Sequence, residues 1–290
     1  MGEERQTRSL RLPYRSPFAA NTLLSFLGVR AVPGIEEVRD GTYVRSVREA
    51  NGSVVAVTPR SDHVEVRISA DGSPDLDRLR EQARRAFDLD ADPAKIDAAL
   101  SRDRKLAPLI ARLPGLRVPG TFDGFELVVR AIFGQQVSVA GARTSLGRLV
   151  VSTGAPLEKP SGGITHLFPT PEQVAELPPE AFGMPRARAE TIRRIAELVA
   201  RGELDLSSDS SPDEALATLS LVPGIGPWTL AYVAMRAFRG SDAFMPGDLG
   251  VRKGFEALGL ETTQKSMLAR AERWRPWRAY AVMHIWQNHL

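Results

Sequence analysis

The chain has 290 residues, of which 43% are hydrophobic and 25% charged, a composition that suits a globular protein of two domains or subdomains. Its net charge of +3 and its isoelectric point near 9.4 weakly favour a polyanionic partner, although charge alone fits a mildly basic cytosolic enzyme better. Cysteine is absent, which excludes disulfides, thiol nucleophiles, cysteine-ligated zinc and iron–sulfur clusters.

Nothing in the sequence predicts a membrane segment or a metal cluster. No stretch approaches the ~20 consecutive apolar residues of a membrane span, and the polar N-terminus lacks the apolar core of a signal peptide. We therefore expect a cytoplasmic protein that does not contact a membrane. The histidines do not form a metal-binding pattern; they are His63, His166, His284 and His289.

Residues 1–88 combine strand and helix patterns and predict an α+β module. Helical spacing predicts one helix that starts at Ser16-Pro17 and another over 76–87. Asn51-Gly52, a strong hairpin-turn signal, lies between the first two of the predicted strands. Apolar and polar side chains alternate in three stretches, which predict strands at 42–47, 53–58 and 63–69.

After residue 88 the strand patterns largely stop, and the rest of the chain is predicted to be helical. The Gly- and Pro-rich stretch 154–169 is predicted as a loop between helices. Apolar residues recur at helical spacing in further stretches, which predict helices over 92–100, 125–132, 138–150, 171–176, 186–201 and 280–286.

A helix-hairpin-helix is predicted at 211–240. Ser211 caps the first helix of this hairpin, and the turn LVPGIG at 221–226 has two glycines that let the backbone bend sharply. Pro227 begins the second helix, which is predicted to run to about Arg239. Amide groups at such a turn and helix N-terminus point outward, as contact with a DNA phosphate requires.

Asp248 ends a Gly/Pro-rich loop at 241–248 and stands before another helical pattern. An Asp in this position is, taken alone, most often only a helix N-cap. The pattern by itself therefore leaves two interpretations of Asp248 open, a structural cap and a functional carboxylate.

The hairpin, followed about twenty residues later by a loop that ends in Asp, resembles the signature of the helix-hairpin-helix DNA glycosylases. A PGIG turn alone is weak evidence, because many non-enzymatic DNA-binding proteins have one. The resemblance to the bacterial 3-methyladenine DNA glycosylase II branch extends over nearly the whole chain. Five segments carry it, in the family's order: FLGVRAV (26–32), RLPGLRVPGTFDGFELVVRAIFGQQVSVAGA (112–142), LFPTPEQVAELPPEAFGMPRARAETI (167–192), VPGIGPWTLAYVAMRAF (222–238) and AERWRPWRAYAVMHIW (271–286).

The resemblance implies a mainly α fold with an N-terminal α+β domain. A small antiparallel-sheet domain at 1–88 would precede a two-lobed, all-helical glycosylase domain at 89–290, with the hairpin at 211–240 and the catalytic loop at 241–248. It also implies a monomer that binds double-stranded DNA with alkylated bases and acts in base excision repair. Such an enzyme flips the damaged purine out of the duplex and hydrolyses its N-glycosidic bond.

The family's catalytic Asp matches Asp248. Cleavage of the bond builds positive charge on the deoxyribose, which a fixed carboxylate stabilises, and the same group can orient or deprotonate the attacking water. An N-alkylated purine is itself cationic and is attracted by aromatic ring faces. Leu249 stands where some relatives have Tyr, so the pocket rim is expected to differ. The positions that match the family's base pocket are Phe26, Trp228, Tyr232, Leu249 and Trp286.

Trp228 also bears on the reaction type. Relatives that cut the DNA backbone have a lysine nucleophile at this position, which forms a Schiff base. A Trp there implies a monofunctional enzyme that uses water and leaves an abasic site.

The resemblance further implies a set of DNA contacts. Gln136 matches the residue that fills the gap left by the flipped base, where some relatives have Leu. A solvent-facing loop residue is the alternative for Gln136. The hairpin residues expected to contact DNA are Gly224, Gly226, Pro227 and Thr229.

No cofactor is required by this reaction, but the hairpin of relatives can hold a monovalent cation, Na⁺ or K⁺. The carbonyl groups at the matching positions are those of Ser220, Val222 and Gly224. Carbonyl ligands leave no side-chain signature, so the sequence does not test this site.

Two other functions are weighed against this one. A catalytically silent helix-hairpin-helix DNA-binding protein would keep the hairpin, but it would not need Asp248 together with the aromatic set. A glycosylase for oxidised bases with lyase activity would need the lysine that Trp228 replaces. The sequence does not determine the preferred lesion among 3-methyladenine, 7-methylguanine, hypoxanthine and 1-methyladenine.

Overall fold

The structure, a computed structural model, describes residues 6–207 and 209–288, without the side chain of Asn51. The predicted domain ends at residues 1 and 290, and His289, lie outside the described residues. The strands are β1 Gln6–Pro13, β2 Glu36–Arg39, β3 Thr42–Val47, β4 Ser53–Pro59, β5 His63–Ala70, β6 Pro156–Ser161 and β7 Ile164–His166.

The helices confirm the predicted change from a mixed N-terminal part to a mainly helical chain. They are α1 Ala20–Arg30, α2 Glu49–Gly52, α3 Leu76–Ala86, α4 Pro93–Leu100, α5 Ala107–Arg112, α6 Gly124–Phe133, α7 Val139–Thr153, α8 Pro171–Ala175, α9 Arg186–Ala200, α10 Pro212–Ser220, α11 Pro227–Arg236, α12 Leu249–Ala257, α13 Gln264–Ala271 and α14 Arg278–Gln287. Single 3-10 turns lie at Pro179–Phe182 and Glu272–Trp274. No helix of the described residues is long and apolar enough to cross a membrane.

The first five strands form one antiparallel sheet in the order β1-β5-β4-β3-β2. The three predicted strands are its centre, and the two edge strands escaped prediction. β1 buries fully only Leu12 of its eight residues, and β2 is four residues long and turns the charged Glu36 inward. Segments with so little apolar alternation become strands because they pair with a neighbouring strand, and their own sequence pattern does not reveal them.

Four local predictions need correction. Asn51-Gly52 does connect β3 to β4, but as the end of the short helix α2 rather than as a two-residue turn. The first helix begins at Ala20 rather than at Ser16-Pro17, and α11 ends at Arg236 rather than near Arg239. The stretch 154–169, predicted as a loop, contains the β6–β7 ribbon, whose strands are joined by a Gly-Gly turn.

Two apolar cores meet near the middle of the molecule. One joins the sheet to the C-terminal helices through residues such as Val57, Phe87, Phe255 and Trp274. The other lies among α6, α7, α9, α10 and α11. Tyr232 on α11 packs against both, which places it at the seam between the two lobes.

A buried ionic network ties the sheet to helix α6. Glu36 pairs with Arg130 at 2.5 Å, and Glu126 pairs with Arg45 at 2.7 Å and with Arg130 at 2.8 Å. The Glu36 carboxylate also accepts a hydrogen bond from the hydroxyl of Tyr43. β2 can carry an acid on its inner face because the buried Glu36 carboxylate is paired with Arg130 and accepts a hydrogen bond from Tyr43.

His284 on α14 is a buried group whose protonation opposes folding. Its side chain is 2% exposed, and its Nε2 has no hydrogen-bond partner among the described residues. Burial lowers the pKa of the imidazole to about 4, and the charge of Arg112 acts in the same direction. The native state therefore holds neutral His284, while the unfolded chain takes up a proton near pH 6.5.

We expect His284→Leu to make the free energy of unfolding less sensitive to acid. The contribution of His284 is complete above pH 6.5 and is lost as the pH falls towards 4. Between pH 7.5 and 5.0 the wild type should lose about 2 kcal/mol more than the variant, from 1.5 pH units at about 1.36 kcal/mol each. Urea unfolding at both pH values measures this difference, and equal losses in the two proteins would contradict it.

Candidate active site

The carboxylate of Asp248 has three donors on three elements. Its Oδ2 accepts a hydrogen bond from Trp228 Nε1 at 2.9 Å, and its Oδ1 accepts one from Trp286 Nε1 at 2.8 Å. Oδ1 also accepts the backbone N–H of Val251 at 2.8 Å, so that Asp248 caps helix α12. The cap and the functional carboxylate are therefore compatible, since one half-buried side chain satisfies both geometries.

Gly250 allows Trp286 to come this close to Asp248. A Cβ at Gly250 would lie 2.9 Å from Trp286 Cδ1 and 3.1 Å from Asp248 Oδ1. A side chain there would force the indole away from the carboxylate, so the first turn of α12 depends on glycine for the geometry of the site.

A pocket of about 260 Å³ opens beside this carboxylate at the seam of the two lobes. Its walls come from α1, α6, α7, α11, α12 and α14, and they combine aromatic rings, one acid and several arginines. A pocket of mixed aromatic and polar lining at a junction of lobes is typical of a binding site for a small flat group. The charged and aromatic residues of the lining are Arg30, Arg130, Arg143, Trp228, Tyr232, Arg236, Asp248 and Trp286.

The predicted aromatic residues form two stacked pairs. Trp228 and Tyr232 lie with ring centroids 5.1 Å apart and planes 12° from parallel, and both line the pocket. Trp286 lines it as well and stacks on Phe26 at 6.3 Å. Phe26 is only 3% exposed and lies behind Trp286, outside the lining, so its contact with the pocket is indirect.

Leu249, predicted at the rim of the pocket, lies outside the pocket lining. Its side chain is 55% exposed and is not among the residues that line the pocket. It lies beside Asp248 on the surface, where it is one of the exposed apolar groups near the mouth together with Val137 and Val139.

Sequence reasoning missed the arginines of the pocket. Arg236 continues the face of α11 that carries Trp228 and Tyr232, and Arg30 follows Phe26 by one helical turn with its guanidinium carbon 3.8 Å from the ring centroid. The i, i+4 spacing from each aromatic residue was the signal that could have indicated them. Arg130 and Arg143, on α6 and α7, had no such signal.

These charges alter the titration of the pocket. Burial alone would raise the pKa of the Tyr232 hydroxyl, but the guanidinium groups of Arg236 and Arg30 bring it below its usual value. The Arg236 Nη1 donates to the Tyr232 oxygen at 2.6 Å. Burial also lowers the pKa of Arg30, which the Asp248 carboxylate partly opposes. The pocket thus holds its positive groups close to one ionisable oxygen and one carboxylate.

Gln136 lies at the mouth of the pocket on an exposed turn. Its φ of +59° is a left-handed conformation that few side chains adopt, and its neighbours Gly134 and Val137 line the pocket. Gln135 anchors this turn to the hairpin, because its Nε2 donates to Gly224 O at 3.3 Å and to Thr229 Oγ1 at 3.1 Å. The turn and the hairpin therefore form one surface.

The hairpin has the predicted helix–turn–helix course, from α10 through the glycine turn to α11. Gly224 has φ +91°, and a Cβ there would lie 2.4 Å from Thr191 Oγ1. Gly226 caps α11, and a Cβ on it would meet nothing within 4 Å. The exposed Pro227 follows at the first position of α11, while Thr229, predicted to contact DNA, is only 2% exposed as a whole residue and offers almost no surface for outside contact.

No group of three or more His, Cys, Asp or Glu side chains that could hold a metal ion occurs between residues 6 and 207 or 209 and 288. The site is therefore built from one carboxylate, aromatic rings and guanidinium groups, together with backbone amides of the hairpin.

The family of the chain follows from comparison with known proteins. Residues 9–123 match the AlkA N-terminal domain, and residues 129–279 match the family model described as HhH-GPD superfamily base excision DNA repair protein. The chain belongs to this superfamily. The second match contains the hairpin, Asp248 and every pocket residue from α6 to α12, whereas Arg30 and Trp286 of the pocket lie outside the matched range.

Curated relatives cover nearly the whole chain. DNA-3-methyladenine glycosylase 2 of Escherichia coli is 37% identical over 281 residues, which are 95% of each chain. The probable bifunctional transcriptional activator/DNA repair enzyme AlkA of Mycobacterium tuberculosis is 42% identical over 97% of this chain. The chain spans 57% of the length of that mycobacterial relative.

A solved structure agrees with the fold. The 3-methyladenine DNA-glycosylase from Archaeoglobus fulgidus superposes with a TM-score of 0.82 over 97% of this chain and 98% of that one, at 23% identity. The chain therefore has the fold of helix-hairpin-helix DNA glycosylases, as the sequence predicted.

Proposed function

We propose that this protein is a monofunctional DNA glycosylase that removes alkylated purines from double-stranded DNA. The observation that carries the proposal is the position of Asp248, whose carboxylate is held by two indole N–H groups at the wall of an aromatic pocket. Family membership and the named relatives support the same activity. We also propose that it acts in the cytoplasm and as a monomer.

The geometry accounts for the proposed reaction in two steps. A purine flipped out of the duplex enters the pocket and stacks on the paired rings of Trp228 and Tyr232, which attract it most strongly when alkylation has made it cationic. As the bond to the sugar breaks, the Asp248 carboxylate stabilises the positive charge that develops on the deoxyribose and orients the attacking water. The indole donors keep the carboxylate from turning away.

Reaction with water, rather than with an amine of the protein, fits the lining. Among the described residues that line the pocket there is no lysine, and the position expected to carry one in lyases is Trp228, whose N–H donates to Asp248. A Schiff base with the sugar needs a neutral amine at this place. We therefore propose that the product is an abasic site on an unbroken strand.

Asp248→Asn is expected to lower base release from methylated duplex DNA by roughly 100-fold or more, a loss typical of removing a group that stabilises transition-state charge. Asn is also a good N-cap, so α12 should keep its start. Single-turnover release of purines, without EDTA or added metal, measures the effect, and thermal unfolding with DNA-binding anisotropy serves as the control.

The same assay separates the alternatives. Strand breaks that appear only after alkali are expected for a monofunctional enzyme, whereas breaks before alkali would favour the lyase. If the wild type and Asp248→Asn both bind DNA tightly and neither releases a base, the silent DNA-binding protein is the correct function and Asp248 is only a cap.

The stacking step predicts that Trp228→Ala weakens excision of cationic 3-methyladenine more than excision of neutral hypoxanthine. Since Trp228 also donates to Asp248, Trp228→Phe is the matched control: it keeps a ring face and loses the N–H. Trp228→Phe should lower both rates to a similar degree. Equal losses on the two bases in Trp228→Ala would reject the cation–π explanation.

For the hairpin we propose that backbone amides of the turn and of the α11 N-terminus contact a DNA phosphate. Gly226→Ala should then weaken DNA binding without changing the free energy of unfolding, because the added methyl meets only solvent or DNA. Gly224→Ala should instead destabilise the fold by about 1 kcal/mol or more, from its positive φ and the contact with Thr191. Anisotropy and urea unfolding distinguish the two, and unchanged DNA affinity in Gly226→Ala would contradict the contact.

We also propose a monovalent cation on the backbone carbonyls of Ser220, Val222 and Gly224. These hard oxygen ligands suit K⁺ or Na⁺. The Ser220 carbonyl accepts no hydrogen bond from a described residue, while those of Val222 and Gly224 each accept one, from Ile225 N and Gln135 Nε2, and keep a second lone pair. When bound, the cation supplies positive charge next to the DNA phosphate. Exchange of K⁺ for tetramethylammonium at constant ionic strength should weaken DNA binding, and an unchanged affinity would remove the cation from the proposal.

A further inference from the structure

The arginines that line the pocket differ in how many of their donors the protein itself uses. Arg130 pairs with Glu36 and Glu126 and donates to the Arg30 carbonyl at 2.7 Å. Arg236 donates to the carbonyls of Pro119 and Gly120 and to the Tyr232 hydroxyl. Protein partners therefore hold both side chains in place, and both have a structural role.

Arg30 is also engaged, although more loosely. Its guanidinium carbon lies 3.8 Å from the Phe26 ring centroid and its Nη1 donates to the Phe26 carbonyl at 3.4 Å, while its Nε and Nη2 make no hydrogen bond or ion pair with a described residue. Stacking on an aromatic face and a carbonyl contact account for its place at the back of the pocket.

Arg143 is different. Its Nε donates to the carbonyl of Ala31 at 2.7 Å, which fixes the plane of the guanidinium against the end of α1. Its Nη1 and Nη2 make no hydrogen bond or ion pair with a described residue, yet the side chain is only partly exposed and lines the same pocket as Asp248. The structure therefore presents an oriented pair of amino groups, with four N–H donors, to whatever enters the pocket.

The chemistry of these donors selects among the candidate bases. An Arg side chain has no acceptor, so it recognises lone pairs and is mismatched to an exocyclic amino group. On a purine the 6-carbonyl oxygen and N7 are acceptors that Arg binds with two parallel hydrogen bonds. Hypoxanthine presents both and 7-methylguanine keeps only the oxygen, whereas 3-methyladenine keeps N7 but has at position 6 an amino group, which donates and does not accept.

From these contacts we infer that Arg143 is a specificity-determining residue that binds the 6-carbonyl of the flipped purine. Among the bases that the aromatic rings accept, Arg143 then favours those with a 6-carbonyl, since hypoxanthine offers it two acceptors and 7-methylguanine one. The inference rests on the proposed glycosylase function and states in addition which edge of the base the protein recognises.

The contact also gives the free donors of Arg143 a hydrogen-bond partner. Donation into a carbonyl oxygen satisfies an otherwise unpaired guanidinium, and a half-buried donor without a partner is unfavourable. A site built to donate hydrogen bonds discriminates strongly against analogues that lack the acceptor, more strongly than an apolar pocket does.

The experiment compares Arg143→Met with the wild type on three lesions. Methylated duplex DNA supplies 3-methyladenine and 7-methylguanine in one sample, and a synthetic duplex supplies hypoxanthine opposite thymine. We expect Arg143→Met to lower hypoxanthine release by roughly 10-fold or more, 7-methylguanine release by less, and 3-methyladenine release by less than about 2-fold. Retained 3-methyladenine release shows in the same sample that the variant is folded.

Arg143→Lys is the second variant, because it keeps the charge and loses the paired donors. It should resemble Arg143→Met on hypoxanthine if the paired contact to the base matters. An equal loss on all three lesions, with a smaller salt dependence of DNA binding, would instead make Arg143 a phosphate contact and overturn the inference.

Two further outcomes are informative. No change on any lesion would also overturn the role of Arg143. If the wild type released none of the three bases, the proposed function itself would fail, which is a different result from an unselective loss in the variants.

Discussion

The hydrogen bonds to Asp248 are the interaction on which the arrangement of the site depends. One carboxylate accepts the indole N–H of Trp228 from α11, that of Trp286 from α14 and the backbone N–H of Val251 in α12. Three helices of the C-terminal part of the chain are thereby held at one point. The same bonds give the carboxylate a single orientation towards the pocket, so the packing of the C-terminal helices and the chemistry of the site are consequences of the same contacts.

A second set of charges supports the opposite wall. Arg130 connects Glu36 in the sheet with Glu126 on α6, and its remaining donor holds the carbonyl at the end of α1. Removal of one member of such a buried network leaves an unpaired charge, which is far less favourable than the pair. The N-terminal sheet therefore contributes to the pocket, because it holds in place α1 and α6, the helices on which Arg30 and Arg130 lie.

The aromatic rings and Arg143 recognise two different properties of a base, its charge and its hydrogen-bond acceptors. Aromatic faces favour cationic bases, whereas a guanidinium with free donors favours bases that offer a lone pair. A base such as 7-methylguanine combines positive charge in its ring with a carbonyl oxygen at its edge, and it satisfies both demands. The stacking residues and Arg143 thus act on different parts of the same base, and their effects on specificity are separable by lesion.

The sequence predicted the elements whose signals are local. The centre of the sheet, the hairpin and most of the helices after residue 88 were recognisable from alternation, helical spacing and turn residues, although α5 and α13 were missed, and the loop that ends in Asp248 was recognisable from its resemblance to a family. The edge strands and the β6–β7 ribbon were missed, because their pattern has too few apolar residues or is interrupted by proline.

By itself, then, the sequence determined the central strands, the hairpin and most of the helices, and it indicated a carboxylate and aromatic rings of which the structure brings Asp248, Trp228, Tyr232 and Trp286 together at one pocket. Only the tertiary structure decided that Phe26 is buried behind Trp286, that Leu249 faces outward, and that Arg143 reaches the pocket from α7. The physical reason is that a side chain's role in the pocket depends on which partners use its donors, and those partners lie on elements far away along the chain. From the sequence alone an arginine is expected at the surface, and only the fold shows which groups its guanidinium contacts.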